Sequence, residues 1–275
     1  MKKEMYEQIT EKVVAALENG VVPWKKTWVG CSSPSNYVTK KRYRGINTFL
    51  LSCSDYASPY WVTFKQAQSL GGSVKKGEKS TTVIYWQFIE KEDAETGEKK
   101  KIPMMRSYQV FNLEQTTIEA PVVSSDNNPI ELAEAMIAGM PNAPIIKNGE
   151  SAYYRPSTDT VVVPTIDMFN SAESYYSTLF HELGHSTGHE SRLNRKGVSS
   201  VSHFGSEDYS FEELVAEFCA AYLCAETGIT QPVIDNQASY ISGWLKVLSN
   251  DNTLLMKAAS AAQKAADYIS NQDIS

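Results

Sequence analysis

The chain has 275 residues, of which 42% are hydrophobic and 21% charged, the balance of a globular protein long enough for one large or two ordinary domains. No apolar run approaches the roughly 18–20 residues of a spanning helix, and Met1 to Tyr6 lacks the apolar core of a signal peptide, so a cytoplasmic protein with no membrane partner is expected. The net charge of −6 is split: residues 1–118 carry 18 Lys and Arg against 12 Asp and Glu, a net +6, and residues 119–275 carry 8 against 20, a net −12. Such a split points to two modules with different partners.

Residues 4–19 read as an amphipathic helix, with Tyr6, Ile9, Val13, Ala16 and Leu17 on one stripe, ended by Gly20 and Pro23. A loop rich in Trp, Ser, Pro and Lys runs to about residue 44, and 46–52 reads as a short helix. Trp61 to Phe64 starts a strand or turn, after which Thr63 could cap a helix over 65–70, closed by Gly71-Gly72. Thr81 to Ile89 alternates and is rich in β-branched and aromatic residues, so it is a strand. Met104 to Asn112 returns as its partner, with the charged stretch 90–101 as a hairpin tip.

Periodicity fades over 114–129, and the expected organisation is a first domain at 1–118, a linker at 119–129 and a second domain at 130–275. The second domain reads as a helix at 130–139, a hairpin of Tyr153-Tyr154 and Thr160 to Val163 turning at Thr158-Asp159, then helices near 171–188, 210–226, 235–249 and 252–270. The fold class is therefore α+β in two domains. Strand 160–163 either accepts an extended peptide at its edge or is an ordinary core strand. The four cysteines form no C-x-x-C pair, and Cys219 and Cys224 read as buried packing residues rather than a disulfide.

The most informative stretch is His181-Glu182-Leu183-Gly184-His185. Histidines four apart on a helix project from one face and can share one zinc-like ion. Glu182 is turned by about 100° from His181 on an ideal helix, beside the ion, where a general base can take a proton from water. Gly184 reads as keeping that face uncluttered. A third ligand is needed, and Glu213-Leu-Val-Ala216-Glu217 resembles the E-x-x-[SA]-[DE] pattern of thermolysin-like zinc hydrolases. Glu213 is assigned as ligand and Glu217 as the carboxylate supporting a ligand histidine, the exchanged roles remaining open. Zinc, or another divalent ion such as Mn2+, is the expected cofactor, and peptide bonds are the usual substrate of such a site. His189 reads as a helix-end histidine, and His203 and Tyr209 either as oxyanion stabilisers or as surface residues.

Residues 19–88 hold ten Lys and Arg against two acidic residues, with aromatics interleaved. Cations for phosphates and rings for unstacked bases suit single-stranded nucleic acid. The candidates are Trp24, Lys25, Asn36, Tyr43, Arg44, Asn47, Trp61, Lys65, Gln66, Lys75, Lys76 and Lys79. The same pattern fits a solvated basic face, with Trp61, Tyr85 and Trp86 in a core.

Val22-Pro23-Trp24-Lys25, Pro34-Ser35-Asn36, Tyr43-Arg44-Gly45-Ile46-Asn47, Trp61 to Ala67, Gly71 to Lys79 and Tyr108 to Asn112 occur in that order before Leu179 to His189, Arg192-Leu193 and Glu212 to Glu217. In this joint order the sequence resembles the ArdC family of plasmid antirestriction proteins over nearly the whole chain. The resemblance implies an N-terminal module binding single-stranded DNA and a C-terminal, mainly helical zincin-like metallopeptidase domain with a small sheet. It further implies protection of incoming DNA on conjugative elements from host restriction endonucleases. Two alternatives stay open: a DNA-binding protector whose metal is structural or inactive, and a regulatory metalloprotease that cleaves a repressor. Oligomeric state is not legible in the sequence.

Overall fold

A computed structural model describes residues 2–25, 33–54, 56–92, 99–121, 128–199, 207–229, 237–251 and 253–272. Helix α1 (Lys2–Glu18) is followed by a single turn, Pro23–Lys25, then β1 (Ser35–Asn36), α2 (Ile46–Ser52), β2 (Tyr60–Thr63), α3 (Phe64–Ser69) and the hairpin of β3 (Thr81–Glu92) and β4 (Lys99–Asn112). The hairpin strands run further into the charged stretch than expected, and residues 93–98 at its tip lie outside the described residues. Thr63 caps α3 as a capping box: its hydroxyl accepts from the Gln66 amide, and the Gln66 side chain accepts from the Thr63 amide at 2.8 Å. The four strands pair in the order β1-β2-β4-β3, with β1 parallel to β2 and the other pairs antiparallel.

The second module holds α4 (Pro129–Ala138), β5 (Ile145–Asn148), β6 (Tyr153–Arg155), β7 (Thr160–Val163), α5 (Ala172–Ser186), a four-residue turn of helix α6 (Lys196–Ser199), and α7 (Glu207–Thr227), α8 (Gln237–Asn250) and α9 (Leu254–Ile269). Its sheet runs β5-β7-β6, β5 parallel and β6 antiparallel to β7. Strand β7 therefore has both edges occupied and all four residues buried, which corrects the expectation that a peptide could pair with it by edge addition. The strand that fills its other edge, β5, is one the sequence pattern does not reveal.

Helix α7 is the axis of the molecule. Nearly all of its side chains from Ser210 to Ala225 are buried, as for a helix surrounded by others. Along α9, Ala258, Ala262, Ala265 and Ala266 are buried small residues that let it pack against α7. The modules share this core. Ile9, Val13 and Leu17 of α1 belong to one apolar cluster with Trp244, Val247 and Leu248 of α8 and Phe218 of α7. Trp24 is wedged among Phe49, Phe218 and Trp244, with ring centroids 5.9, 4.9 and 5.0 Å away. Polar bonds lock the same seam: Arg44 pairs with buried Asp267, Gly45 N donates to Gln263 at 2.7 Å, and Tyr222 donates to the Gly45 carbonyl at 2.9 Å. Gly45 has φ 55° and ψ −130°, a backbone that only glycine adopts without strain. The boundary near residues 119–129, of which 122–127 lie outside the described residues, is thus not a break in packing.

The end of α5 is braced by Arg192. Its guanidinium side chain is fully buried and donates to both oxygens of Asp159, to the Ser186 carbonyl at 2.9 Å and to the Asn142 carbonyl at 2.8 Å. Asp159 sits in the β6–β7 turn with φ 45° and also accepts from Tyr154. Partial burial would raise the Asp159 carboxyl, but the Arg192 and Tyr154 hydrogen bonds hold it below its usual range. Its contribution is therefore complete above about pH 4 and is lost as pH falls through the lowered folded-state value. Asp159→Asn, which keeps the shape and tolerates the positive φ, should cost about 2 kcal/mol in chemical denaturation near neutral pH, less than for a fully buried pair because Asp159 is partly exposed. An unchanged midpoint would contradict this bracing role.

Candidate functional site

His181 and His185 project from the same face of α5 towards α7 and converge, their Nε2 atoms 3.1 Å apart. Glu213 of α7 closes the triangle, with Oε2 3.6 Å from His181 Nε2 and Oε1 3.7 Å from His185 Nε2. These are near the roughly 3.3 Å separations expected of donors around one tetrahedral ion with bonds of about 2.0–2.1 Å. Among the described residues this trio is a group of donors lying within 4.8 Å of one another. Two imidazoles and one carboxylate are a fitting donor set for zinc or a similar divalent ion, and three protein ligands leave one position open.

The approach of the two helices depends on Gly184. A Cβ there would meet Ala216 Cα at 3.2 Å and Cys219 Cβ at 3.3 Å, so glycine lets α7 come close enough to bring Glu213 to the histidines. Gly184 therefore faces the neighbouring helix, not the ion, which corrects the role expected for it.

Each ring also meets a carboxylate through its other nitrogen. His181 Nδ1 lies 3.7 Å from Glu217 Oε1, where the sequence assignment put the supporting carboxylate. His185 Nδ1 lies 3.4 Å from Glu212 Oε1. Glu212 is held in turn by Arg195, which donates to its two oxygens at 2.9 and 2.5 Å, to Thr187 Oγ1 at 2.6 Å and to the Gly184 carbonyl at 2.8 Å. Sequence reasoning gave neither Glu212 nor Arg195 a role; the doublet Glu212-Glu213 was the available signal. Supporting partners of this kind fix the tautomer and ring plane of a ligand histidine. Glu212→Gln is expected to weaken metal affinity by about 10–100-fold in competition with a chelator, and an unchanged affinity would show that the Arg195–Glu212 pair only builds structure.

Buried carboxylates need positive partners. Glu212, Glu213 and Glu217 are all buried on α7, and Arg195 pairs with Glu212. Burial alone would lower the His181 imidazole, but the Glu213 hydrogen bond and the charges of Glu217 and Glu182 push it up to about 9. Burial would raise Glu213, yet His181, His185 and a hydrogen bond from Tyr209 pull it down to about 2. A divalent cation between these groups would offset their buried negative charge. Glu182 lies between His181 and His185 in sequence and is 7% exposed. Tyr209, in the first turn of α7, hydrogen-bonds Glu213. His189 follows the end of α5 and bonds Ser191 at 2.8 Å, and His203 lies outside the described residues.

The residues expected to touch DNA differ widely in exposure. Trp24 and Trp61 are each 2% exposed and cannot stack on bases in this arrangement, since both are packed in apolar clusters. Asn47 spends its side chain on the β3 edge, donating to the Ile84 carbonyl at 2.6 Å and accepting from its amide at 2.7 Å. Asn36 and Gln66 bond each other at 3.1 and 3.2 Å. Tyr43 is half-buried beside Trp61, and Arg44 holds Asp267 while keeping half its side chain exposed. Lys65, Lys75, Lys76 and Lys79 are exposed, Lys75 donating to the Glu114 carbonyl. The Lys25 side chain lies outside the described residues.

A histidine pair on one helix, a glutamate from a second and a small mixed sheet beside them make the C-terminal half a zincin-like metallopeptidase module. The family model of the zincin-like metallopeptidase matches residues 131–261, and that of the N-terminal domain of anti-restriction factor ArdC matches residues 3–111. The chain belongs to the ArdC antirestriction family. It is 37% identical to the crystal structure of the metal-free antirestriction ArdC protein of plasmid R388, with a TM-score of 0.79 over 98% of both chains. The Mn(II)-bound form of that protein is 35% identical, with a TM-score of 0.74 over 97% of both. The uncharacterized protein y4eC of Sinorhizobium fredii is 34% identical over 98% of this chain and 92% of its own length. A DNA primase TraC of Escherichia coli is 37% identical over 98% of this chain, but the match spans only 27% of the primase. Among the described residues no helix is long and apolar enough to cross a membrane.

Proposed function

We propose that this protein binds single-stranded DNA through its N-terminal module, and carries a divalent-metal peptidase site in its C-terminal module. It would act as an antirestriction protein that protects incoming plasmid DNA from host restriction endonucleases. The observation that carries the metal half is the convergence of His181, His185 and Glu213 on one point, with Glu182 on the same helix. The Mn(II)-bound relative supports a divalent ion, with Zn2+ or Mn2+ as the candidates. The DNA half is supported by the net +6 of residues 1–118 and by the likeness to a DNA primase.

His181, His185 and Glu213 would hold the ion, and Glu217 and Glu212 would orient the two rings. A bound ion supplies Lewis acidity, polarising a scissile carbonyl and making water nucleophilic near neutral pH. Glu182 would accept the proton of the attacking water and deliver it to the leaving amine. The substrate would be a host restriction or regulatory protein.

The DNA half is tested with a labelled single-stranded oligonucleotide titrated into the full chain at rising salt. The affinity should fall log-linearly, with a slope of about −0.7 per phosphate contacted. No binding at low salt, or a flat response, would contradict the reading.

A further inference from the structure

With Trp24 and Trp61 buried, the rings that would meet DNA bases must lie elsewhere. Resting on the DNA-binding reading above, we propose that Tyr85, Tyr108 and Arg106, on one face of the β3–β4 hairpin, form the platform on which single-stranded DNA stacks. The register pairs Val83 with Tyr108 and Tyr85 with Arg106. Directly opposed residues on antiparallel strands project to the same side, as do residues two apart on one strand. Tyr85, Arg106 and Tyr108 therefore share a face with Val83 and Val110.

The two ends of that face differ. At one end Leu51, Trp61, Val83 and Val110 form a small core with Tyr43 and Tyr56 packed on it. At the other the rings have no cover among the described residues: Tyr85 is 53% and Tyr108 43% exposed, with centroids 6.3 Å apart and planes at 72°. Two tyrosine rings side by side in water make a small exposed aromatic patch of the kind that a ligand can cover. Their planes differ, so each ring offers its own face to one unstacked base.

The charge around them selects the partner. Arg106 is exposed directly across from Tyr85. Residues 79–89 and 99–113 contain no Asp or Glu, in a chain whose net charge is −6. The acids of β3, Glu90 and Glu92, lie toward the hairpin tip, and an exposed cation among stacking rings matches a phosphate chain carrying bases. Among the described residues, the exposed large hydrophobics on the hairpin are these two tyrosines, with the partly buried Met104 next along the same face.

The test uses the full chain and a labelled oligo(dT), read by fluorescence anisotropy. Tyr85→Ala/Tyr108→Ala should weaken binding by about 10–100-fold with an unchanged salt slope, and Tyr85→Phe/Tyr108→Phe should stay within about twofold of the wild type. Arg106→Gln should weaken binding and reduce the salt slope by about 0.7. If the wild type binds and the double alanine variant binds equally well, the platform is wrong while the DNA-binding reading stands. If the wild type does not bind, that reading falls and takes the platform with it. If the double variant instead converts a dimer to a monomer with unchanged DNA affinity, the face belongs to a second copy and the proposal is overturned.

Discussion

Glu182→Gln is expected to leave divalent-metal affinity within about threefold of the wild type while lowering metal-dependent peptide hydrolysis by about 10²–10⁴-fold. Glutamine keeps the size of the side chain in its buried position but cannot take a proton from water. His181, His185 and Glu213 are untouched by the exchange, so the donor set remains. Hydrolysis of a peptide library by the metal-loaded protein, beside isothermal titration of the metal, separates the two quantities. Hydrolysis retained with metal bound would move the base elsewhere. If restriction protection in cells survives Glu182→Gln with the metal retained, proteolysis is not how the protein protects DNA, and occupancy of the strand becomes the mechanism.

The second large effect distinguishes the two glutamates of α7 whose roles, assigned from the sequence, could still be exchanged. Glu213 approaches the Nε2 atoms of both histidines, whereas Glu217 approaches Nδ1 of His181. Nε2 is the atom that converges with its partner, and Nδ1 faces away from the shared point. Glu213→Ala should therefore abolish measurable binding at metal concentrations that saturate the wild type. Glu217→Ala should weaken it by about 10–100-fold, as expected for a residue that orients a ligand ring. The reverse order of effects would exchange their roles.

The legible parts of the fold were those set by local chemistry. The stripe of Ile9, Val13 and Leu17 marks α1, Thr63 as a cap marks α3, and the alternation over Thr81 to Ile89 marks β3. The paired histidines were legible because one helical turn alone brings them together. What escaped depends on chain segments meeting from afar. Strand β5 is exposed along its length and is defined only by parallel pairing with β7. The Arg195–Glu212 pair joins a loop before α6 to the central helix. Composition marks the first module as basic and aromatic, but it does not say which rings the second module will cover. Trp24 is covered by Phe218 and Trp244, residues far along the chain, while Tyr85 and Tyr108 stay in solvent.

The most direct test of the metal centre is an anomalous-scattering map from crystals grown with Mn2+ or Zn2+. The account predicts one strong peak within bonding distance of Nε2 of His181, Nε2 of His185 and a carboxylate oxygen of Glu213, at about 2.0–2.2 Å for zinc. A peak bound through Glu217 in place of Glu213, or no peak between the histidines at saturating metal, would contradict it.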